Sequence, residues 1–184
     1  MRIIGGEFRS RVISMPKGVD IRPTQDKVRE AMFNILGDIS GRRVLELFGG
    51  SGAFGIEAIS RGACHVTFVD NNSRCVNTMK ANLRSLGVDD KAYDIIKADA
   101  LKIFPKLEVK GEKYDIIFID PPYHRELAKK CLINADSYDI LSPIGLVIVE
   151  HFKKDIITTG LKTLVFDRDR RYGDTVITFL QKSV

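Results

Sequence analysis

From Arg43 onward, short apolar runs alternate with longer segments whose apolar positions recur every three or four residues. The short runs, Arg43–Leu47, 65–69, 94–98, Tyr114–Ile119 and 145–150, read as strands. The periodic segments between them, 53–61, Ser73–Leu86, 101–107 and 125–135, read as helices. Strands alternating with helices predict parallel βαβ units with helices on both faces of a sheet. The rhythm then changes. Segments 161–169 and 175–181 both read as strands, and Arg170-Arg171-Tyr172-Gly173-Asp174 between them leaves no room for a crossover helix, so they should form an antiparallel hairpin. Ahead of the sheet, 1–4 and 12–14 predict a short hairpin and 25–36 a helix, with Thr24 as N-cap and Gly37 as the stop. The chain is expected to be an α/β domain over 41–184 preceded by a small extension over 1–40.

A length of 184 residues, 44% of them hydrophobic, suits one main domain with a sizeable core. Three cysteines, Cys64, Cys75 and Cys131, show no paired or metal-binding spacing, so reduced thiols and a cytoplasmic setting are expected. No leader-like or membrane-spanning apolar stretch is evident. Charge is uneven: residues 1–43 carry nine Lys/Arg against five Asp/Glu, hence +4 of the net +5. A basic arm beside a nearly neutral domain suits a polyanion, with Arg9, Arg11, Lys17 and Arg22 as phosphate-binding candidates.

Two motifs carry candidate chemistry. The first strand runs into Glu46-Leu47-Phe48-Gly49-Gly50-Ser51-Gly52-Ala53-Phe54-Gly55, a glycine loop opening a helix, with Asp70 twenty residues after Gly50 at the end of the second strand. Glycines permit a tight turn and close approach of a ligand, and Asp70 can accept from ribose hydroxyls. That spacing also fits a nicotinamide dinucleotide, so an NAD-dependent oxidoreductase stays open on glycine spacing alone. Weighing against it, Asp99 and Glu46 add carboxylates at neighbouring strand ends, which suits a cationic, phosphate-free cofactor better than a pyrophosphate. Tyr93 and Lys97 lie along a strand, roughly 13 Å apart, too far for a hydride-transfer dyad. The second motif, Asp120-Pro121-Pro122-Tyr123, closes the strand Tyr114–Ile119. It offers a carboxylate and a stiffly held carbonyl as two acceptors for one exocyclic NH2, and a ring to stack on a base. His65, His124 and His151 lack metal-ligand spacing, and no metal is expected.

Taken together, Glu46 to Gly55, Asp70, Asp99 and Asp120 to Tyr123 resemble the ordered motifs of class I S-adenosylmethionine-dependent methyltransferases that act on amines. The opening Arg2-Ile3-Ile4-Gly5-Gly6, Arg22-Pro23-Thr24 and Arg29-Glu30-Ala31-Met32-Phe33-Asn34, with the closing Arg171-Tyr172-Gly173-Asp174-Thr175, is similar to bacterial small-subunit ribosomal RNA guanine-N2 methyltransferases. The resemblance covers nearly the whole chain; Glu46 stands where relatives commonly have Asp, and Gly50 where many have Ala. It implies a Rossmann-like class I methyltransferase sheet, mostly parallel with a C-terminal antiparallel hairpin. S-adenosylmethionine would be held by Glu46, Gly49, Gly50, Ser51, Gly52, Asp70, Asn71, Asp99 and Ala100. Catalysis would fall to Asp120, Pro121, Pro122 and Tyr123, and RNA contact to Arg9, Arg11, Lys17, Arg22, Arg171 and Tyr172. The expected partner is ribosomal RNA or the small-subunit particle, with no membrane and a monomeric protein. Methylation of adenine N6 in DNA or RNA is the alternative that shares the catalytic tetrapeptide.

Overall fold

The computed structural model describes residues 1–19, 25–122 and 126–183. The chain divides into two units, Met1–Lys97 and Ala98–Val184.

In the first unit, strands β1 (Arg43–Leu47), β2 (His65–Asp70) and β3 (Tyr93–Lys97) pair in parallel in the order β3-β2-β1, with Glu46 opposite Phe68 and Leu47 opposite Val69. β1 and β2 are buried along nearly their whole length, which is why they read as continuous apolar runs, whereas β3 is half-exposed. Helices α1 (Asp26–Leu36), α2 (Ala53–Ser60) and α3 (Ser73–Leu86) accompany them. The stop at Gly37 is as expected: its φ is 66° and its N–H donates to the Phe33 carbonyl. Thr24, expected to cap α1, lies outside the described residues; the cap is Gln25, extended and without a side-chain bond.

The amino-terminal segment belongs to this unit. Arg2 and Val12 form an antiparallel bridge, and Ile3 and Ile13 are buried. Its backbone is tied to α2: the N–H groups of Ile4 and Gly5 donate to the Glu57 carboxylate at 2.8 and 2.7 Å, and Phe8 N–H to Ser60 Oγ at 2.9 Å. Gly6, at φ 73°, passes so close to α2 that a Cβ would lie 1.7 Å from the Ser60 carbonyl oxygen. Arg29 of α1 is buried against the Arg2 carbonyl and 3.6 Å from Glu57.

In the second unit, β4 (Tyr114–Ile119) pairs in parallel with β5 (Leu141–Phe152), β5 antiparallel with β7 (Thr175–Lys182), and β7 antiparallel with β6 (Leu164–Tyr172), giving the order β4-β5-β7-β6. Helices α4 (Phe104–Val109) and α5 (Leu127–Ser137) complete it. Of the boundaries that differ from those read in the sequence, two have a clear local cause. α4 starts at Phe104, not 101, because Pro105 lacks an N–H and is tolerated only in a first helical turn. The hairpin loop is two residues, Gly173 and Asp174, with Gly173 at φ 64°, the position where a tight II′-type loop takes glycine. Arg170, Arg171 and Tyr172, expected in the connection between the two strands, therefore stand on β6 itself. Asp136, near the end of α5, receives the N–H groups of Lys162, Thr163 and Leu164 and the Thr163 hydroxyl, fixing the entry to β6. Among the described residues no helix is long and apolar enough to cross a membrane.

Candidate cofactor and catalytic site

β1 ends at Leu47, and the chain turns at once through Phe48, whose φ of 59° is unusual for a residue with a side chain. Gly49 N–H donates to the Val69 carbonyl, Gly50 N–H to Asp70 Oδ2 at 2.9 Å, and Gly52 N–H to the Gly49 carbonyl. The loop is thus fastened across the ends of β1 and β2. Its glycines are demanded from beneath as much as by any ligand above. A Cβ on Gly49 would lie 2.9 Å from Met79 Sδ, and one on Gly55 2.4 Å from the Phe68 ring. Gly55 therefore provides the close approach of α2 to the sheet.

Asp70 stands half-buried where β2 stops. Its Oδ2 accepts from Gly50 and its Oδ1 from Asn72 N–H at 2.8 Å, so it joins the two loops that follow β1 and β2. A carboxylate offers about four acceptor sites, which leaves Asp70 capacity for ribose hydroxyls. Asn71 beside it is exposed. Cys75, one turn into α3, is buried against Asp70, and burial first, then that carboxylate, push its thiol up to about 11.

Glu46 is placed differently from the other acids. It is 4% exposed, and its Oε2 accepts the N–H of Gly55 at 2.9 Å; the Phe54 N–H also bonds to it. Burial pushes its carboxyl up to about 8, against the pull of those two N–H groups. The side chain therefore lies under the loop and occupies the free donors of the first turn of α2. A helix N-terminus normally offers such donors to a phosphate; here two of them already serve an internal carboxyl group.

In the second unit, Asp99 and Ala100 precede α4, Asp99 half-buried and Ala100 buried, and Asp99 Oδ1 accepts from Leu101 N–H at 2.8 Å. Cys131 of α5 is buried near Asp99, and its thiol is pushed up to about 12, mainly by burial. Asp120 follows β4, half-buried and engaged with neighbouring groups, with Pro121 buried and Pro122 exposed. Tyr123, His124 and Arg125 lie outside the described residues, as does Arg22. Arg9, Arg11 and Lys17 are exposed on the amino-terminal segment, Arg171 is exposed on β6, and Tyr172 half-buried there. Among the described residues no group of His, Cys, Asp and Glu could hold a metal ion. Sequence reasoning missed Phe48, Glu57 and Asn82. The first reveals itself only in its dihedral angle, and the other two are polar residues at helical positions whose spacing assigns them to the core.

A family model described as "Conserved hypothetical protein 95" matches residues 1–181. The Escherichia coli (strain K12) protein named Ribosomal RNA small subunit methyltransferase D is 33% identical over 183 residues, covering 99% of this chain and 90% of that one. The solved structure of yhhF from Escherichia coli is similar at a TM-score of 0.84 and 28% identity, covering all of this chain and 98% of that one. A protein solved in complex with SAH, SMU.776, shares the fold at a TM-score of 0.67 and 21% identity, over 84% of this chain and 48% of that one. The fold is that of the class I methyltransferases, parallel strands joined by helices with an antiparallel pair at the C-terminal end.

Proposed function

The chain belongs to the family described as Conserved hypothetical protein 95, and from that premise we propose that it transfers a methyl group from S-adenosylmethionine to the exocyclic N2 amine of a guanine in small-subunit ribosomal RNA. The observation that carries the cofactor assignment is Glu46 under the α2 N-terminus. With the N–H groups of Phe54 and Gly55 spent on a buried carboxyl, the loop suits a nucleoside cofactor without phosphates better than a dinucleotide. The remaining groups fit: Asp70 has acceptor capacity for ribose hydroxyls, Gly49, Gly50, Ser51 and Gly52 present backbone, and Asn71, Asp99 and Ala100 follow the ends of neighbouring strands. The ribosomal RNA substrate draws its support from the relative's name and from the exposed Arg9, Arg11 and Lys17.

S-adenosylmethionine supplies, when bound, an electrophilic methyl carbon on a sulfonium leaving group. The chain's own residues must make a poor nucleophile competent, since the lone pair of an aryl amine is delocalised into its ring. The Asp120 carboxylate and the Pro121 carbonyl accept the two amine hydrogens, hold the NH2 in one orientation and favour the pyramidal form in which the lone pair is localised. Asp120 also offsets the positive charge that develops on nitrogen, and the surplus proton leaves afterwards. Pro121 and Pro122 keep that carbonyl on one stiff path. Tyr123 stacks on the base, while Arg9, Arg11, Lys17, Arg22, Arg171 and Tyr172 hold the RNA backbone. Residues 1–40 serve as the RNA-contacting extension and 41–184 as the methyltransferase domain, and the protein acts as a monomer in the cytoplasm.

The test combines product and variant. Small ribosomal subunits from a strain lacking the protein are incubated with tritiated S-adenosylmethionine, and the RNA is digested for mass spectrometry. N2-methylguanosine is expected; N6-methyladenosine would overturn the choice of base. Asp120→Asn keeps size and one acceptor but removes the charge and turns an NH2 toward the substrate's own donor. It should raise the barrier by about 2 to 4 kcal/mol while leaving S-adenosylhomocysteine affinity nearly unchanged.

A further inference from the structure

Asn82 lies on the buried stripe of α3, 3% exposed, at a position where helical spacing calls for an apolar side chain. Its Oδ1 accepts the Ser14 N–H at 2.8 Å, and its Nδ2 donates both to the Ser14 carbonyl at 3.0 Å and to the Ser51 carbonyl at 2.9 Å. Because an N–H of Ser14 needs an acceptor, the amide can sit only this way round, and both its donors are used. One side chain thus grips the amino-terminal segment by its backbone and the glycine loop by its central carbonyl. The segment is pinned to α3 on either side of this joint, by Arg11 Nη2 on the Ser85 carbonyl at 3.1 Å and by Arg74 Nη1 on the Gly18 carbonyl at 2.9 Å. Those two bonds end on α3; the Asn82 bridge continues into the loop. Arg11 and Lys17, two of the exposed cations given to RNA phosphates, flank Ser14 in the same segment.

We propose that Asn82 is a positioning residue that couples RNA binding on the amino-terminal segment to cofactor binding on the glycine loop. The proposal rests on the methyl-transfer reading above. Fixing the segment against phosphates removes freedom from Ser14, and Asn82 passes that restraint to Ser51, so the loop meets the cofactor already ordered. Linkage makes the effect reciprocal: whatever factor RNA adds to cofactor affinity, cofactor adds to RNA affinity.

Equilibrium dialysis of tritiated S-adenosylhomocysteine, with and without saturating small subunits from a strain lacking the protein, measures the coupling as a ratio of two dissociation constants. For the wild type the ratio should be at least about threefold in favour of the RNA-bound form. For Asn82→Ala it should fall to about one, by the loss of that coupling. A merely structural role would weaken both constants together and leave their ratio alone. Asn82→Asp keeps the volume and the acceptor for Ser14 but loses both donors, so its ratio should also fall to about one, and it decides the matter if Asn82→Ala does not fold. A wild-type ratio of one, or a variant that keeps the wild-type ratio, overturns the proposal. The same subunits separate the two failures. If they take up methyl groups while the ratio is one, the coupling alone is wrong; if they take up none, the methyl-transfer reading falls with it.

Discussion

Gly55 shows how little freedom single positions have beneath the loop. In Gly55→Ala the new methyl would meet the Phe68 ring, Glu46 Oε2 and Val66 at 2.4 to 2.7 Å. Two of these neighbours are on buried β2, so α2 must lift. Chemical denaturation should show a loss of about 1 to 3 kcal/mol. Glu46 makes a pH prediction. Its folded carboxyl titrates near 8 and its ordinary value is 4.5, so between those values the unfolded chain ionises while the folded one holds its proton. Stability therefore falls as pH rises through that window. Glu46→Gln removes the titration, and its melting temperature should gain on the wild type from pH 5 to pH 8, by the equivalent of about 1 to 3 kcal/mol. A constant gap between the two would refute a raised carboxyl. The sequence placed Glu46 correctly at the end of β1. It could not show which way the carboxylate turns, because that depends on how closely Gly55 lets α2 approach. Asn82 was hidden for the opposite reason, since its position in the helical repeat looks like core.

Elements were more legible than residues. α3 and β4 fall where the apolar periodicity put them, and α3 is bounded by residues that stop it: Asn72 caps it from the side chain, and Gly87 ends it at φ 74°. Misplacements came where a local rule competed with the pattern. Pro105 delays α4, and the two-residue loop at Gly173 lets β6 run on to Tyr172, taking its arginines onto the strand. The long connection between β5 and β6 is fastened at its β6 end by Asp136. Asp136 receives three backbone N–H groups and a hydroxyl; burial alone would raise its carboxyl, but those donors together hold it below the usual carboxylate range. Asp136→Ala leaves these donors unpaired and should cost about 2 to 4 kcal/mol in urea unfolding. The stability due to this carboxylate is present above pH 3.8 and is lost as pH falls through its lowered folded value. A variant no less stable than the wild type at pH 7 would mean that the loop holds without it.

At the scale of the whole molecule, charge was the most readable property and chemistry the least. Most of the excess positive charge lies in the first 43 residues, and the structure exposes Arg9, Arg11 and Lys17 there. Reversing these three charges should lower RNA affinity and flatten its dependence on salt, by roughly 0.7 to 0.9 in log–log slope for each phosphate no longer neutralised. An unchanged slope would move the RNA surface to the arginines of β6. The tetrapeptide Asp120-Pro121-Pro122-Tyr123 was visible as a motif, but the role proposed for it depends on an orientation at Asp120 that spacing alone does not carry. Strand order also governs how the protein is made. β1, β2 and β3 all precede residue 98, so the parallel pairs β1–β2 and β2–β3 can form once Lys97 has been synthesised. β7 lies between β5 and β6, although it follows both in the chain. During translation β5 and β6 must therefore wait, unjoined and with open edges, until Thr175–Lys182 has left the ribosome to bridge them.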